Sequence, residues 1–311
     1  MYPYLWVQQT QHGQLEYGTY GLMLVLAFTA CALIAGMRMK KVGINPDVVV
    51  PLIVVAIVSS IIGARLLHFL GSPNDRELFL SNPLILLNVT KGGMAVLGGL
   101  IGGSLAGAAF MKWRGVDVWK AADICAAVIP VGTAVGRMGC FFAGCCHGTA
   151  IPGAHTASSL TGDLFPGGEI LSLDGFPYLA FSYVRGVGMG SVHDTPVYPT
   201  QLWEIVIWFS LFGVLSWFWK NYRKFDGQIM AMLMVAYPLL RSFVELYRGD
   251  AVRGTGYLGI GLSTSQVASI PVFVFALVIV AIQFRKGVKP EAEFVRSESE
   301  EDVLDYDDEG V

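Results

Sequence analysis

The chain has 311 residues, of which 54% are hydrophobic and only 14% charged, and its formal charge is −3. With a mean hydropathy of +0.56, this composition excludes a soluble globular domain of such length and points to a multi-pass membrane protein. The negative balance gives no reason to expect a nucleic-acid partner.

Hydrophobic runs long enough to cross ~30 Å at ~1.5 Å per residue recur along the chain. They fall at about 18–37, 47–70, 93–112, 118–140, 199–219, 228–247 and 263–284. The fold class expected is therefore an all-α polytopic membrane protein of about seven transmembrane helices. Glycine dilutes the third and fourth runs. The segment before the first run has neither a basic start nor a small-residue cleavage site, so the first helix is read as uncleaved.

Orientation follows from the basic residues. Arg38, Lys40 and Lys41 follow the first run, Lys112, Arg114 and Lys120 lie between the third and fourth, and Lys220, Arg223 and Lys224 follow the fifth. Arg285, Lys286 and Lys289 follow the seventh, whereas the opposite side carries only Arg76, Lys91, Arg185, Arg248 and Arg253. The positive-inside rule puts the N-terminus outside and the C-terminus in the cytoplasm. Residues 291–311 hold ten Asp or Glu against Arg296 alone, which reads as a disordered acidic cytoplasmic tail. The domain division is thus 1–290, the membrane body with its outer loop 149–198, and 291–311, the tail.

With this topology the polar residues of the spans gather in the outer half of the bilayer. Arg137 lies near the end of the fourth run, in VGTAVGRMGCFFAGCCHG. A guanidinium at membrane depth costs roughly 3 kcal/mol or more, so it either holds an anion in a cavity or snorkels to the interface. Tyr20 opens the first run, Gly98 and Gly99 lie in the third, and Gln201 and Glu204 open the fifth. Tyr237, Arg241, Glu245 and Arg248 are spaced four, four and three, so they share one helix face. Arg241 and Glu245 alone would make an ordinary structural pair. Two arginines beside one small-residue cleft match a phosphate or carboxylate, because the guanidinium fork fits its oxygens.

The five cysteines divide by position. Cys31 and Cys125 lie in spans as packing residues, whereas Cys140, Cys145 and Cys146 sit with His147 at the end of the fourth run. Small packing residues or a disulfide from Cys140 to one of the adjacent pair come first, a catalytic thiol second, and a metal site third, because the spacing lacks C-x-x-C.

Gly136, Arg137, Gly139, Phe141 and Gly148 fit the pattern G-R-x-G-N-F-x-N-x-E-x-x-G. Tyr20-Gly21-Leu22-Met23, Gly92-Gly93-Met94, Gly98 to Gly102, Asp123, Pro199-Thr200-Gln201-Leu202-Trp203-Glu204, and Arg241 with Glu245, Arg248 and Asp250 follow in matching order. Through these residues the membrane body resembles the prolipoprotein diacylglyceryl transferase family. The resemblance implies a multi-pass enzyme of the bacterial inner membrane that moves the diacylglyceryl group of phosphatidylglycerol to the lipobox cysteine of a preprolipoprotein, releasing glycerol phosphate. Its expected partners are phosphatidylglycerol, preprolipoprotein signal peptides and the lipid bilayer, with no cofactor and no metal.

On that resemblance Arg137, Arg241, Glu245 and Tyr20 are the catalytic candidates. Arg137, Tyr237, Gly98, Gly99, Gly139, Gly148, Gln201, Glu204 and Arg248 are the substrate-binding candidates. The arginines would grip the phosphodiester, Glu245 would orient Arg241 or accept a proton, and Tyr20 and Tyr237 would offer hydroxyls. The chain also departs from the pattern: Cys140, Ala143 and Cys145 stand at the two asparagines and the glutamate, and Leu97 and Tyr198 at two family histidines. His147 is a conceivable substitute base. The alternative reading is a diverged membrane protein on the same scaffold, binding phospholipid without turnover or using the Cys140/Cys145/Cys146 cluster for thiol redox chemistry.

Overall fold

The structure is a computed structural model that describes residues 4–10, 13–71, 73–82, 85–86, 95–149, 168–173, 176–181 and 197–248, together with 270, 272–274, 276–278 and 281. Apolar runs become helices where expected: α1 Thr19–Lys41, α2 Val49–Gly71, α4 Val96–Trp113, α5 Val118–Ala143, α6 Thr200–Asn221 and α7 Gln228–Glu245. A short helix, α3 Pro73–Ser81, follows α2. Among the described residues four helices are long and apolar enough to cross a bilayer: α1, α2 with the turn before it, α5 and α6. Glycine thins α4, and α7 carries Arg241 and Glu245. Most of 263–284 and all of the acidic tail lie outside the described residues, and the few described positions of 263–284 are helical.

Helices build the membrane body, as the hydropathy requires, and the described residues also include two small antiparallel hairpins. β1 Tyr4–Thr10 pairs with β2 Gly13–Gly18, and β3 Gly168–Leu173 pairs with β4 Phe176–Phe181. The second hairpin falls within the segment expected as an outer loop. Asp174-Gly175 separates its strands in the sequence, a strong short-range hairpin signal.

The ends of α5 are set by local chemistry. Asp117 caps it, its carboxylate accepting from the Trp119 and Lys120 amides at 2.9 Å. Gly144 stops it in the left-handed region at φ 70°, a conformation glycine adopts without steric cost. This helix is the axis of the bundle. Of its most apolar stretch 56% is buried, against 11%, 17% and 22% in the other three membrane-length helices. It packs against α1 on one side and α6 and α7 on the other. Ala126, Ala127 and Ala134 meet Trp208, Leu211, Leu215, Ile229 and Leu233 in the core between α5, α6 and α7. Large apolar side chains such as Val25, Leu33, Val50, Leu105, Val206 and Leu239 remain exposed around the outside. Such a belt is stable against lipid and not against water.

The second helix pair is a glycine crossing. A Cβ on Gly98 would lie 2.2 Å from the Gly63 carbonyl oxygen, and one on Gly102 2.6 Å from that of Ser59. Backbones approach this closely only where side chains are absent. Gly98 and Gly99 therefore pack against α2, away from the arginines of α5 and α7.

At the end of the bundle opposite those arginines, Asp123 is fully buried. Its carboxylate accepts from the backbone amides of Gly227 at 2.9 Å and Met230 at 3.0 Å, and it pairs with Arg223 at 3.3 Å. A side chain of α5 thus satisfies the first amides of α7, which no cap side chain of its own covers. Replacing Asp123 with alanine leaves those donors and Arg223 without their buried acceptor. Thermal unfolding in detergent is expected to show a loss of about 3 kcal/mol or more, with the asparagine variant losing less because its amide oxygen still accepts.

Candidate functional site

The helices alternate in direction, so the end of α5, the start of α6, the end of α7 and the start of α1 meet at one end of the bundle. Glu204, in the first turns of α6, is 1% exposed and stands at the centre of that meeting point. Arg241 donates from Nη1 to its Oε1 at 2.7 Å, and Arg137 pairs through Nε with its Oε2. Arg248 Nη1 lies 3.7 Å from Oε1. Arg241 reaches Glu245 through its other arm, Nη2 to Oε2, at 2.8 Å. Five charged groups thus form one buried network of three guanidiniums and two carboxylates, with a formal surplus of one positive charge.

The network settles two questions that the sequence left open. Arg137 turns inward to Glu204 and does not snorkel. Arg241 and Glu245 do form an i,i+4 pair, but one embedded in a larger cluster. Within that cluster Arg137 is the most accessible member, its side chain 18% exposed against 7% for Arg241 and 2% for Arg248. The open edge of this cationic cluster is at Arg137.

The segment after α5 is tied into the same end. Gln201 Nε2 donates to the Cys145 carbonyl at 2.8 Å, and Thr200 Oγ1 to that of Cys146 at 3.1 Å. Gly148 donates its amide to the Tyr198 carbonyl at 2.9 Å and forms a bridge with Arg248. A Cβ there would lie 2.6 Å from Tyr198 Cβ and 2.7 Å from the Tyr247 carbonyl oxygen, so only glycine lets these three segments close together. Around this junction Tyr247 meets Tyr198 and Trp203 edge to face at 5.7 and 5.3 Å, and Tyr198 and Trp203 are tilted against each other at 5.8 Å. His147 is buried, its ring Nδ1 donating to the Gly148 carbonyl at 3.0 Å.

The remaining candidates take different places. Tyr20, in the first turn of α1 and half exposed, crosses Gly139, where an added Cβ would meet its ring at 3.1 Å. That contact sets the phenol beside Arg137 and the cysteines. Tyr237 sits a turn before Arg241 and stacks on Trp208 at 5.2 Å, with one side exposed. Gln201 engages the cysteine loop. The network therefore unites Arg137, Glu204, Arg241, Glu245 and Arg248, with Tyr20, Gly139, Gly148 and Gln201 at its border and Tyr237, Gly98 and Gly99 apart from it.

Two features escaped the sequence reading. Glu204, grouped there with ligand contacts, is the hub of the arginines. Arg65 of α2, singled out by no motif, is fully buried, donates to the Ile85 carbonyl at 3.0 Å and lies over Phe69. Its signal was its cost: an arginine in the middle of an apolar run needs a partner.

The sulfurs of Cys140, Cys145 and Cys146 all lie within 4.8 Å of one another. Hydrogen bonds from the other two thiols, and then Arg248 and Arg137, draw the Cys146 thiol below the ordinary thiol range. Cys31 and Cys125 are packed within the helices, Cys31 donating to the Val128 carbonyl.

A bundle of apolar helices with a buried, cation-rich cluster at one end defines an integral membrane protein. A sequence profile described as prolipoprotein diacylglyceryl transferase matches residues 9–282, and the chain belongs to that family. It is 28% identical over 275 residues to the phosphatidylglycerol–prolipoprotein diacylglyceryl transferase 2 of Clostridium perfringens, covering 88% of this chain and 94% of the relative. It is 30% identical over 268 residues to a phosphatidylglycerol–prolipoprotein diacylglyceryl transferase of Bacillus cereus, covering 86% and 88%. A Corynebacterium efficiens protein of the same name is 28% identical over 281 residues, covering 90% and 82%.

Proposed function

We propose that the protein transfers the diacylglyceryl group of phosphatidylglycerol to the lipobox cysteine thiol of a preprolipoprotein. One observation carries this reading: three arginines converge on Glu204 with a formal surplus of one positive charge. The phosphodiester of phosphatidylglycerol carries one negative charge, and an end-of-bundle site is within reach of a lipid headgroup. In the reaction a C–S bond forms, the C–O bond to phosphate breaks, the thiol proton is lost, and glycerol phosphate leaves. Arg137, at the open edge, would hold the phosphate oxygens as negative charge grows on them, and this stabilisation is strong where water is excluded. Arg241 would be the second grip, oriented by Glu204 and Glu245. Tyr20 would offer its hydroxyl to the headgroup from the neighbouring helix.

The wider arrangement belongs to the same proposal. The body would be a seven-span protein of the bacterial inner membrane, with the N-terminus and the arginine cluster on the outer side. The acidic tail would lie in the cytoplasm, and the 149–198 segment would receive the signal peptide. The test is direct: purified protein in lipid nanodiscs, given phosphatidylglycerol and a lipobox peptide, releases glycerol phosphate and yields a thioether-linked peptide. A folded protein that binds the lipid but yields neither product would overturn the transfer reading in favour of a lipid-binding role.

A further inference from the structure

The transfer reading leaves the three thiols at the end of α5 without a task. Their convergence is built by the backbone. Gly144 ends α5 in the left-handed region, and Cys146 follows in the same region at φ 61°. A non-glycine residue rarely adopts that conformation, because its Cβ crowds the carbonyl. The two left-handed residues turn the chain back on the last turn of α5, so that Cys145 and Cys146 face Cys140. The turn is then held from outside, since α6 binds the Cys145 carbonyl through Gln201 and the Cys146 carbonyl through Thr200.

We propose that Cys140, Cys145 and Cys146 form a three-thiolate site for a soft monovalent cation, copper(I). The three sulfurs already lie within 4.8 Å of one another. A trigonal ion with metal–sulfur bonds of about 2.3 Å needs sulfurs about 4 Å apart, so binding requires only a small contraction. A disulfide uses two sulfurs and gives no reason for the third to converge equally. An all-sulfur donor set selects soft ions. Copper(I) accepts three ligands, whereas zinc calls for a fourth, and among the described residues the convergent donor set is Cys140, Cys145 and Cys146 without a histidine or carboxylate.

Charge agrees with this assignment. Binding one copper(I) ion releases three thiol protons and leaves the complex at −2. Arg137 and Arg248, whose charges act on Cys146, stand where that charge needs countering. The site borders the Glu204 network through Arg137 and through the Gln201 and Thr200 anchors, so an occupied site would hold α5 and α6 together at the arginine cluster.

The test does not depend on transfer activity. Full-length protein in nanodiscs, purified anaerobically under reducing conditions, is titrated with copper(I) against a chromophoric copper(I) chelator. One equivalent per chain is expected to outcompete the chelator, with X-ray absorption showing three sulfurs at about 2.3 Å. Cys140→Ser and Cys146→Ser should each weaken binding by about a hundredfold or more, whereas Cys31→Ser and Cys125→Ser should leave it unchanged. Absorption data on the unaltered protein keep the test decisive if a serine variant fails to fold. Three thiols that remain free to alkylation in the presence of copper, or preferential zinc binding with a fourth ligand, would each overturn the proposal.

Discussion

Arg137→Lys is expected to lower diacylglyceryl transfer by about a hundredfold or more, and Arg137→Ala by more still. Lysine keeps the formal surplus of one positive charge but not the planar fork, so a single ammonium must replace paired donors to the phosphate. Loss of one donor aimed at developing negative charge costs about a hundred- to a thousandfold in other enzymes. Because Glu204 keeps Arg241 as its partner at 2.7 Å, the fold should survive. Steady-state kinetics on phosphatidylglycerol in nanodiscs separates two roles for Arg137. A fall in kcat at similar KM identifies stabilisation of the leaving phosphate, whereas a raised KM alone would reduce Arg137 to headgroup binding.

Glu204→Ala should be the most damaging change to the site's own stability. The carboxylate is buried and touches three guanidiniums on two other segments of the chain. Without it, among the described residues, the three cations keep Glu245 as the carboxylate that pairs with Arg241. Breaking a buried ion pair from one side costs about 3–5 kcal/mol, and thermal unfolding in detergent should show that loss. Glu204→Gln preserves shape and one acceptor oxygen, so it should fall between the wild type and alanine in stability while still impairing transfer. If both variants unfold like the wild type and only KM rises, Glu204 contacts ligand and does not organise the arginines.

These two residues mark how far the sequence could be read. Arg137 was conspicuous because its cost is local: a charge amid glycine and apolar residues needs an explanation wherever the chain goes. Arg241 and Glu245 were legible as a pair because helical spacing alone brings them together. Glu204 was not legible as the hub, since its partner Arg241 is 37 positions away and nothing in either segment declares the other. Gly98 and Gly99 show the reverse case. Their smallness was plain, but smallness serves a ligand gap and a helix crossing equally, and only the Gly63 carbonyl at 2.2 Å from an added Cβ decides for the crossing. The Asp174-Gly175 signal is strong at short range, but it lies outside the long hydrophobic runs that dominate the chain.

What the sequence by itself determined is whatever depends on neighbours along the chain. That includes the helical runs, the chain order that carries the arginines, Glu204 and Tyr20 to one end, and the membership of residues in one helix face. Tertiary structure alone decided which charges neutralise one another, which glycines touch backbone, and that three cysteines converge. Hydropathy and helical period act over a few residues, whereas ion pairing and sulfur convergence depend on how α5, α6 and α7 pack and on a left-handed turn at Cys146.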